Sequence, residues 1–298
     1  MIDCLNALQC IALVASRYGA RLIKHCFVFS DAPETGHTMP PTTWSNGMSR
    51  LHNLKRTLMR NRIRPVKALI AVRRLIADPD DTGQVFKIIE ALKGDSIGQA
   101  VTRLQADATG STLLAEKPNI VPVLNDRQAL LALPESSIGR AYYRFVHEEN
   151  LSADGLVASS EEAPEYRGLS RDEMWLGDRL RDIHDLQHVM TGYGRDRFGE
   201  LCLLSFMTEQ TNNRGINFII AVARRKFQAE FPQANVAAMI KEGRDIARGA
   251  MWMPAQRWED RLGDSLEETR REMGFLLPER YLRFKEDFAE QIQALAAA

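Results

Sequence analysis

Hydrophobic residues recur at intervals of three and four positions over most of the chain beyond residue 60, which is the pattern of amphipathic helices. Strand-like alternation of apolar and polar residues is not sustained, and 119–124 is the one short strand candidate in the sequence. The pattern predicts an all-α fold, a multi-helix bundle. The predicted helices are 66–76, one capped at 81 or 82 and ending at 92, 96–106, one from 125 or 126 to 133, one from 136 or 137 through 146, one starting at 170, one from 195–199 to about 231, 235–249, 267–272 and 279–295.

Residues 1–60 differ in pattern from the rest of the chain. The segment 5–24 predicts an amphipathic helix, whereas 27–50 hold three prolines, two glycines and several Ser and Thr residues, which is typical of a linker. We therefore divide the chain into an extension at 1–60, formed by an N-terminal helix and a linker, and a helical metal-binding domain at 61–298.

The metal motif of that domain lies at 184–188, where the chain reads HDLQH, with Glu200 after eleven further residues. At ~100° per residue, His184, Asp185 and His188 project into one arc of a helix. Histidines at i and i+4 on one helical face are a recurrent way to hold a divalent metal. Because Glu200 would lie ~18 Å further along a straight helix, the chain has to turn back, and the glycines of 192–194 permit this. The sequence predicts a metal site between two helices.

Two imidazoles and two carboxylates form a nitrogen and oxygen donor set, which suits zinc, iron(II) or manganese better than calcium. We expect one divalent metal on His184, Asp185, His188 and Glu200. Open coordination positions would make the site catalytic. Because the imidazoles bind metal in their neutral form, the metal affinity should fall as the pH drops towards about 6.5.

Three other interpretations of the motif stay open. The histidine pair is also compatible with an exposed helical patch in which Asp185 pairs with His188. A metallopeptidase related to HExxH helices would need a glutamate base in place of Asp185. A metal-dependent phosphohydrolase would need further histidines and aspartates on several helices, and the chain has six histidines in total.

With this motif, the chain resembles the family of the fourth Coq protein of coenzyme Q (ubiquinone) biosynthesis, whose signature is HDxxH, eleven residues and Glu. His184, Asp185, His188 and Glu200 match that signature residue for residue. The resemblance extends over roughly 64 to 275. Its further parts are the segments 64–82 and 133–145, Gln210-Thr211 and Arg257-Trp258-Glu259.

The resemblance implies an all-helical fold, a divalent metal on the His-Asp-His-Glu set and a function in ubiquinone biosynthesis. The implied activity is the oxidative decarboxylation of a polyprenyl-hydroxybenzoate intermediate at ring carbon 1, as a decarboxylase or lyase. The implied partners are a polyprenylated aromatic lipid and other ubiquinone-biosynthesis enzymes, and a homodimer is a further expectation. The alternative functions are a non-catalytic, lipid-binding organiser of those enzymes and a metal-dependent hydrolase.

Several residues near the motif are candidates for contacts with the substrate. Arg181 lies one turn before Asp185, and Arg195 follows the glycine break, so either could hold a carboxylate through bidentate hydrogen bonds. We place Arg181 in the catalytic set and expect Arg195 to form a surface ion pair. Apolar residues of the second site helix predict either ordinary core or a wall for an isoprenoid tail. The remaining substrate candidates, each with a structural or solvated alternative, are Tyr193, Glu209 and Asn213.

Composition narrows the class and the location of the protein. A chain of 298 residues with 45% hydrophobic residues can bury a large core. Lys+Arg and Asp+Glu are equal at 39 each, so the charge gives no indication of nucleic-acid binding. No run approaches the ~20 apolar residues of a transmembrane helix, and the four cysteines lack metal-ligand spacing. We expect a cytoplasmic protein. The basic stretch 50–74 predicts either peripheral contact with anionic lipids at the inner face of the membrane or the solvated face of a helix.

Overall fold

The structure is a computed structural model, and it describes residues 63–77, 83–147 and 169–296. These residues form helices almost throughout, and the one β pairing among them is an isolated bridge between Ser137 and Ser265. The all-α prediction is confirmed. The helices are α1 Pro65–Ala77, α2 Gly83–Leu92, α3 Ser96–Ala106, α4 Ala108–Glu116, α5 Val121–Asn125, α6 Arg127–Ala132, α7 Ile138–His147, α8 Arg171–Asp182, α9 His184–Thr191, α10 Arg197–Thr211, α11 Arg214–Glu230, α12 Val236–Gly249, a 3-10 turn Met253–Ala255, α13 Trp258–Arg261, α14 Leu266–Glu272, α15 Glu279–Asp287 and α16 Ala289–Ala296.

The predicted N-terminal helix and linker lie outside the described residues, as does nearly all of the polar connection 150–169. The division of the chain at residue 60 therefore stays a prediction. Several helix starts follow their capping side chains as predicted. The Asp126 carboxylate accepts a hydrogen bond from the Ala129 N–H at the start of α6, and the Ser137 hydroxyl accepts one from the Arg140 N–H at the start of α7.

The strand candidate at 119–124 was wrong, because this segment contains the short helix α5. Pro122 stands in the first turn of that helix, where its missing N–H would have no helical partner in any case. The Asn119 side chain accepts a hydrogen bond from the Val121 N–H at 3.0 Å. A proline that seemed to interrupt a strand is therefore part of a helix start.

The single second site helix predicted to reach about 231 was also wrong, because the chain breaks it into α10 and α11. Asn212 adopts a left-handed conformation with φ 52° at the end of α10. The Asn213 side chain then caps α11 by accepting hydrogen bonds from the N–H groups of Gly215 and Ile216. Apolar periodicity continues on both sides of this break. The left-handed conformation of Asn212 ends α10, and the side-chain cap of Asn213 begins α11.

Helix α10 lies at the centre of the packing. It packs against α11 and α12, while α9 lies against α7 and also contacts α10. Phe206 and Ile219 are buried in the core, and Met207 and Phe218 pack against it as partly buried residues. The second site helices thus contribute to the core, and they hold the candidate site inside the bundle. Among the described helices, none combines the length and the apolar character that crossing a bilayer requires.

Candidate metal centre

Three of the four predicted metal ligands converge between α9 and α10. The ligand atoms of His184, His188 and Glu200 all lie within 4.8 Å of one another. The His188 Nε2 atom is 3.1 Å from Oε1 of Glu200, and the His184 Nε2 atom is 3.8 Å from Oε2 of the same carboxylate. The two oxygens of one carboxylate thus face one imidazole each, in a site that is largely buried.

A short reversal of the chain brings Glu200 back to the histidines. Gly192 ends α9 with φ 80°, a conformation that glycine adopts without steric cost, and its N–H donates to the His188 carbonyl at 2.8 Å. Asp196 then begins α10, its carboxylate accepting hydrogen bonds from the N–H groups of Phe198 and Gly199. Glu200 therefore lies in the first turn of α10, beside the end of α9, as the glycine break predicted.

The ring of His188 is held on both of its nitrogen atoms. Its Nδ1 atom lies 3.0 Å from the carbonyl oxygen of Tyr193. Because a carbonyl oxygen only accepts, this hydrogen bond requires the proton on Nδ1 and leaves a lone pair on Nε2 when the ring is neutral. The ring is 1% exposed and stacks on Phe145 at a centroid distance of 5.0 Å. Backbone and stacking together aim the Nε2 lone pair at Glu200.

This geometry fits a bound cation. A neutral His188 would direct its Nε2 lone pair at a carboxylate oxygen only 3.1 Å away, which is unfavourable unless a proton or a cation lies between them. A divalent metal accepts electron pairs from both atoms, and a backbone carbonyl on the other ring nitrogen is the usual outer partner of a metal-binding histidine. Within the part of the chain that the structure describes, the close group provides two imidazoles and one carboxylate, and this set would leave coordination positions for water or substrate.

Electrostatics couple the three groups. Burial lowers the pKa of His184, but the hydrogen bond with Asp185 and the charge of Glu200 outweigh it, so the pKa lies above its ordinary value. Burial raises the pKa of Glu200, but the charge of His188 and its hydrogen bond outweigh it, so the pKa lies below its ordinary value. The site therefore favours a carboxylate on Glu200 at every pH near neutrality.

Asp185, the fourth predicted ligand, lies beside the other three rather than within their close group. Its Oδ1 atom is 3.4 Å from Nδ1 of His184, the ring nitrogen that does not face Glu200. Burial raises the pKa of Asp185, but the hydrogen bond and the charge of His184 outweigh it and lower the pKa. In this position Asp185 orients the His184 ring, and its role as a direct ligand stays a prediction.

The two candidate arginines occupy different surroundings. Arg181 donates a hydrogen bond from Nε to the Asp182 carboxylate at 2.9 Å and lies 3.2 Å from Asp178. Arg195 places its guanidinium 4.2 Å above the ring of Phe145, which is the ring that stacks on His188. Its charge contributes to the pKa values of both His184 and Asp185. Arg195 is therefore linked to the metal site through the Phe145 ring and through its charge.

The three substrate candidates make contacts that the sequence did not indicate. The Tyr193 hydroxyl points towards α12, where a Cβ atom at Gly243 would lie 3.2 Å from it, so Tyr193 meets the site through its carbonyl. Glu209 pairs with Arg248, and Arg248 Nη2 is 3.1 Å from the carboxylate. Asn213 caps α11 and does not lie one turn after Glu209 on a common helix. Glu209 and Asn213 are thus bonded to the protein itself, whereas the buried Tyr193 hydroxyl has no hydrogen-bond partner among the described residues.

Sequence reasoning missed two residues that shape the site. Phe145 stacks on His188 from α7, and Tyr281 bonds to the turn beyond α9 from α15. Both lie far from the motif in the chain, and no local spacing connects either of them with it. Their proximity depends on how the helices pack.

Comparison with known proteins agrees with the motif. A family model described as coenzyme Q (ubiquinone) biosynthesis protein Coq4 matches residues 64–279. The chain belongs to the Coq4 family. The family region thus includes the whole of α9 and α10, which carry the three converging residues His184, His188 and Glu200.

Curated relatives carry the name of the same family. A mitochondrial ubiquinone biosynthesis protein COQ4 homolog of Danio rerio is 31% identical over 110 residues, which are 37% of this chain and 38% of the relative. The Homo sapiens homolog is 27% identical over 65% of this chain and 72% of its own length. The Lodderomyces elongisporus protein is 30% identical over 69% of this chain and 56% of its own length. The match thus spans between 38% and 72% of the length of these three relatives.

A solved structure supports the fold of the family. A crystal structure of a Nostoc punctiforme protein assigned to ubiquinone biosynthesis superposes with a TM-score of 0.52 and 21% identity. The superposition covers 72% of this chain and 99% of that protein. At this identity the likeness establishes a shared all-helical fold for the Coq4 chain.

Proposed function

We propose that this Coq4-family chain is a metal-dependent enzyme of ubiquinone biosynthesis that oxidatively decarboxylates a polyprenyl-hydroxybenzoate at ring carbon 1. A place in ubiquinone biosynthesis follows from the family. The observation that supports catalysis most is the convergence of His184, His188 and Glu200 with coordination positions left open.

The proposed reaction breaks the bond between the ring and its carboxylate carbon. The carbon leaves as CO2, a hydroxyl derived from water takes its place on the ring, and an oxidant accepts the two electrons and two protons that are released. Dioxygen is the natural oxidant if the bound metal is iron or manganese, whereas zinc has no redox chemistry of its own. When bound, the cation would supply Lewis-acid stabilisation of the charge that develops at the leaving carboxylate.

The residues of the chain would hold and orient the acid. His184 and His188 would hold the metal through their Nε2 atoms, and the Glu200 carboxylate would offset part of its charge. Arg181, the arginine predicted for the substrate carboxylate, would have to exchange its bonds to Asp182 for bonds to the substrate. Arg195 is a second candidate, because its charge already acts on the histidine site.

The partners and location form part of the same proposal. A polyprenyl substrate has a long apolar tail, so we expect the enzyme to take it from a membrane surface and to work with other ubiquinone-biosynthesis enzymes, as a homodimer. The three curated relatives above are named mitochondrial. A cytoplasmic location at the inner face of the membrane stays a prediction for this chain.

Complementation tests the proposal. A strain blocked in ring decarboxylation would receive wild-type protein, His188→Ala or the control Lys241→Ala, whose side chain is 73% exposed on α12. Quinone precursors would be identified by mass spectrometry, and the metal content of each purified protein would be measured. We expect wild type and Lys241→Ala to restore the quinone, and His188→Ala to accumulate the precursor that still carries the ring carboxylate.

The other outcomes separate the alternatives. Rescue by a folded His188→Ala protein without metal would contradict catalysis at this site and support a lipid-binding organiser. Turnover of phosphoesters or peptides by purified wild-type protein, lost in His188→Ala, would instead support the metal-dependent hydrolase. Elemental analysis of protein purified without added metal would decide between zinc, iron and manganese.

A further inference from the structure

Tyr281 connects the C-terminal helix α15 with the turn between α9 and α10. Its side chain is almost fully buried, and its hydroxyl accepts a hydrogen bond from the Gly194 N–H at 3.0 Å. The same hydroxyl donates to the carboxylate of Asp196. Tyr281 lies just beyond residue 279, where the match to the family model ends. One phenol thus bonds to two points of the turn, from a part of the chain outside the family region.

Each of these two bonds leads to a metal ligand. Gly194 follows Tyr193, whose carbonyl accepts the Nδ1 proton of His188. Asp196 caps α10, and its carbonyl accepts the Glu200 N–H at 2.9 Å. A shift of Gly194 would move the group that orients the His188 ring, and a shift of Asp196 would move the first turn that presents Glu200.

Close packing restricts the movement of the turn in addition to these bonds. A Cβ atom at Gly199 would lie 2.0 Å from the Gly194 carbonyl oxygen and 2.9 Å from the Tyr281 hydroxyl. The Tyr281 ring also packs edge-on against Tyr193 at a centroid distance of 5.3 Å. Burial and the Asp196 carboxylate raise the pKa of Tyr281, so the hydroxyl keeps the proton that it donates.

We propose that Tyr281 is a positioning residue of the metal centre, whose single hydroxyl holds the turn that orients His188 and the helix start that delivers Glu200. The proposal rests on the metal centre described under the proposed function. Outer partners of metal ligands typically affect metal affinity by about 10- to 100-fold, because they set the orientation of the ligand atoms. Lys285 contacts the same Asp196 carboxylate at 3.2 Å but is 45% exposed, which makes it a matched control.

Metal affinity provides the first test. The Kd for cobalt(II) would be measured by chelator competition in wild type, Tyr281→Phe, Asp196→Ser and Lys285→Gln, and the visible spectrum of each cobalt form would be recorded. Tyr281→Phe keeps the ring, and Asp196→Ser keeps a capping oxygen while it removes the acceptor of the phenol. We expect both to weaken cobalt binding by about 10- to 100-fold and to change the spectrum. Lys285→Gln should stay within about twofold of wild type, because exposed ion pairs contribute little.

The tautomer of His188 gives a readout that needs no metal. In apoprotein labelled with nitrogen-15 in its histidine rings, NMR should show a proton on Nδ1 of His188 in wild type, whether or not Nε2 is also protonated, and a mixture with forms that lack this proton in Tyr281→Phe. If wild type binds no cobalt, the proposed metal centre fails, and the tautomer alone decides the role of Tyr281. If Tyr281→Phe does not fold, Asp196→Ser replaces it. A folded variant with the cobalt affinity, spectrum and His188 tautomer of wild type would overturn the proposal.

Discussion

The Nε2 atom of His188 and the Oε1 atom of Glu200 lie 3.1 Å apart, although twelve residues and a reversal of the chain separate them. His188 cannot turn its ring away from Glu200 without losing the Tyr193 carbonyl. Glu200 is 5% exposed, so its side chain has little room to turn away. The protein therefore holds two electron-pair donors face to face.

Metal binding should stabilise the protein only when Glu200 is charged. We predict that a divalent metal at about 100 times its Kd raises the free energy of unfolding of wild type by about 2.7 kcal/mol. Glu200→Gln keeps the shape of the side chain and removes its charge, so this gain should be largely lost. Chemical denaturation with metal and with chelator measures both values. An equal gain in Glu200→Gln would contradict a metal on this carboxylate.

The apoprotein should be most stable at mildly acidic pH. The pKa of Glu200 is lowered in the folded state, so its contribution is complete above the ordinary value of 4.5 and is lost as the pH falls through the lowered pKa. The pKa of His184 is raised, so its contribution is complete below 6.5 and is lost as the pH rises through the raised pKa. Both contributions are complete between these two values, where a denaturation series should place the maximum.

Added metal should oppose the loss of stability that the apoprotein shows at alkaline pH. A metal binds the neutral ring of His184, so the stabilisation by metal should grow as the pH rises through the raised pKa of His184. The same denaturation series, repeated with metal, measures the difference between the two curves. A metal effect that does not change between mildly acidic and mildly alkaline pH would contradict the binding of metal to His184.

A methyl group at Gly199 should disrupt the turn. The added Cβ atom would meet the Gly194 carbonyl at 2.0 Å, and neither backbone can yield without moving the other. We predict that Gly199→Ala lowers the free energy of unfolding by about 1–3 kcal/mol, as overpacking does, and weakens metal binding. In the control Gly263→Ala the new atom would lie 3.8 Å from Leu133, an ordinary contact, so both quantities should stay near wild type. Urea unfolding and metal competition measure them.

The ion pair of Arg179 and Glu259 explains one of the family motifs outside the metal site. The Arg179 side chain is 1% exposed and its Nη1 atom donates to Glu259 at 2.7 Å. We predict that Arg179→Ala lowers the free energy of unfolding by about 3–5 kcal/mol, because it leaves a largely buried carboxylate without its partner. The exposed pair of Lys241 and Asp245 is the control, and Lys241→Ala should cost no more than about 1 kcal/mol.

A double variant checks the cause of that loss. Arg179→Met combined with Glu259→Leu removes both charges from the interior, so most of the lost stability should return. Chemical denaturation of Arg179→Met, Glu259→Leu and the double variant gives the coupling energy. If the double variant were as unstable as the sum of the single variants, the two side chains would contribute independently, and the charge argument would fail.

Local signals predicted most helix limits well. The helix predicted at 96–106 is α3, and the Ser170 capping box with Glu173 begins α8. The errors at 119–124 and at Asn212 have a common reason. In both places the apolar pattern continued across a change of conformation that a proline or an asparagine side chain decides locally. Periodicity reports which residues are buried, and it is less sensitive to where a helix stops and restarts.

The sequence by itself determined the helical class of the protein, the donor types of the site and the turn that returns Glu200 to the histidines, because these depend on residues close together in the chain. Only the tertiary structure decided which atoms face each other. It set Tyr193 to act through its carbonyl, Phe145 to stack on His188, and Tyr281 to hold the turn from 87 residues beyond Gly194. These contacts arise from helix packing, which brings together residues whose relation leaves no pattern in the chain.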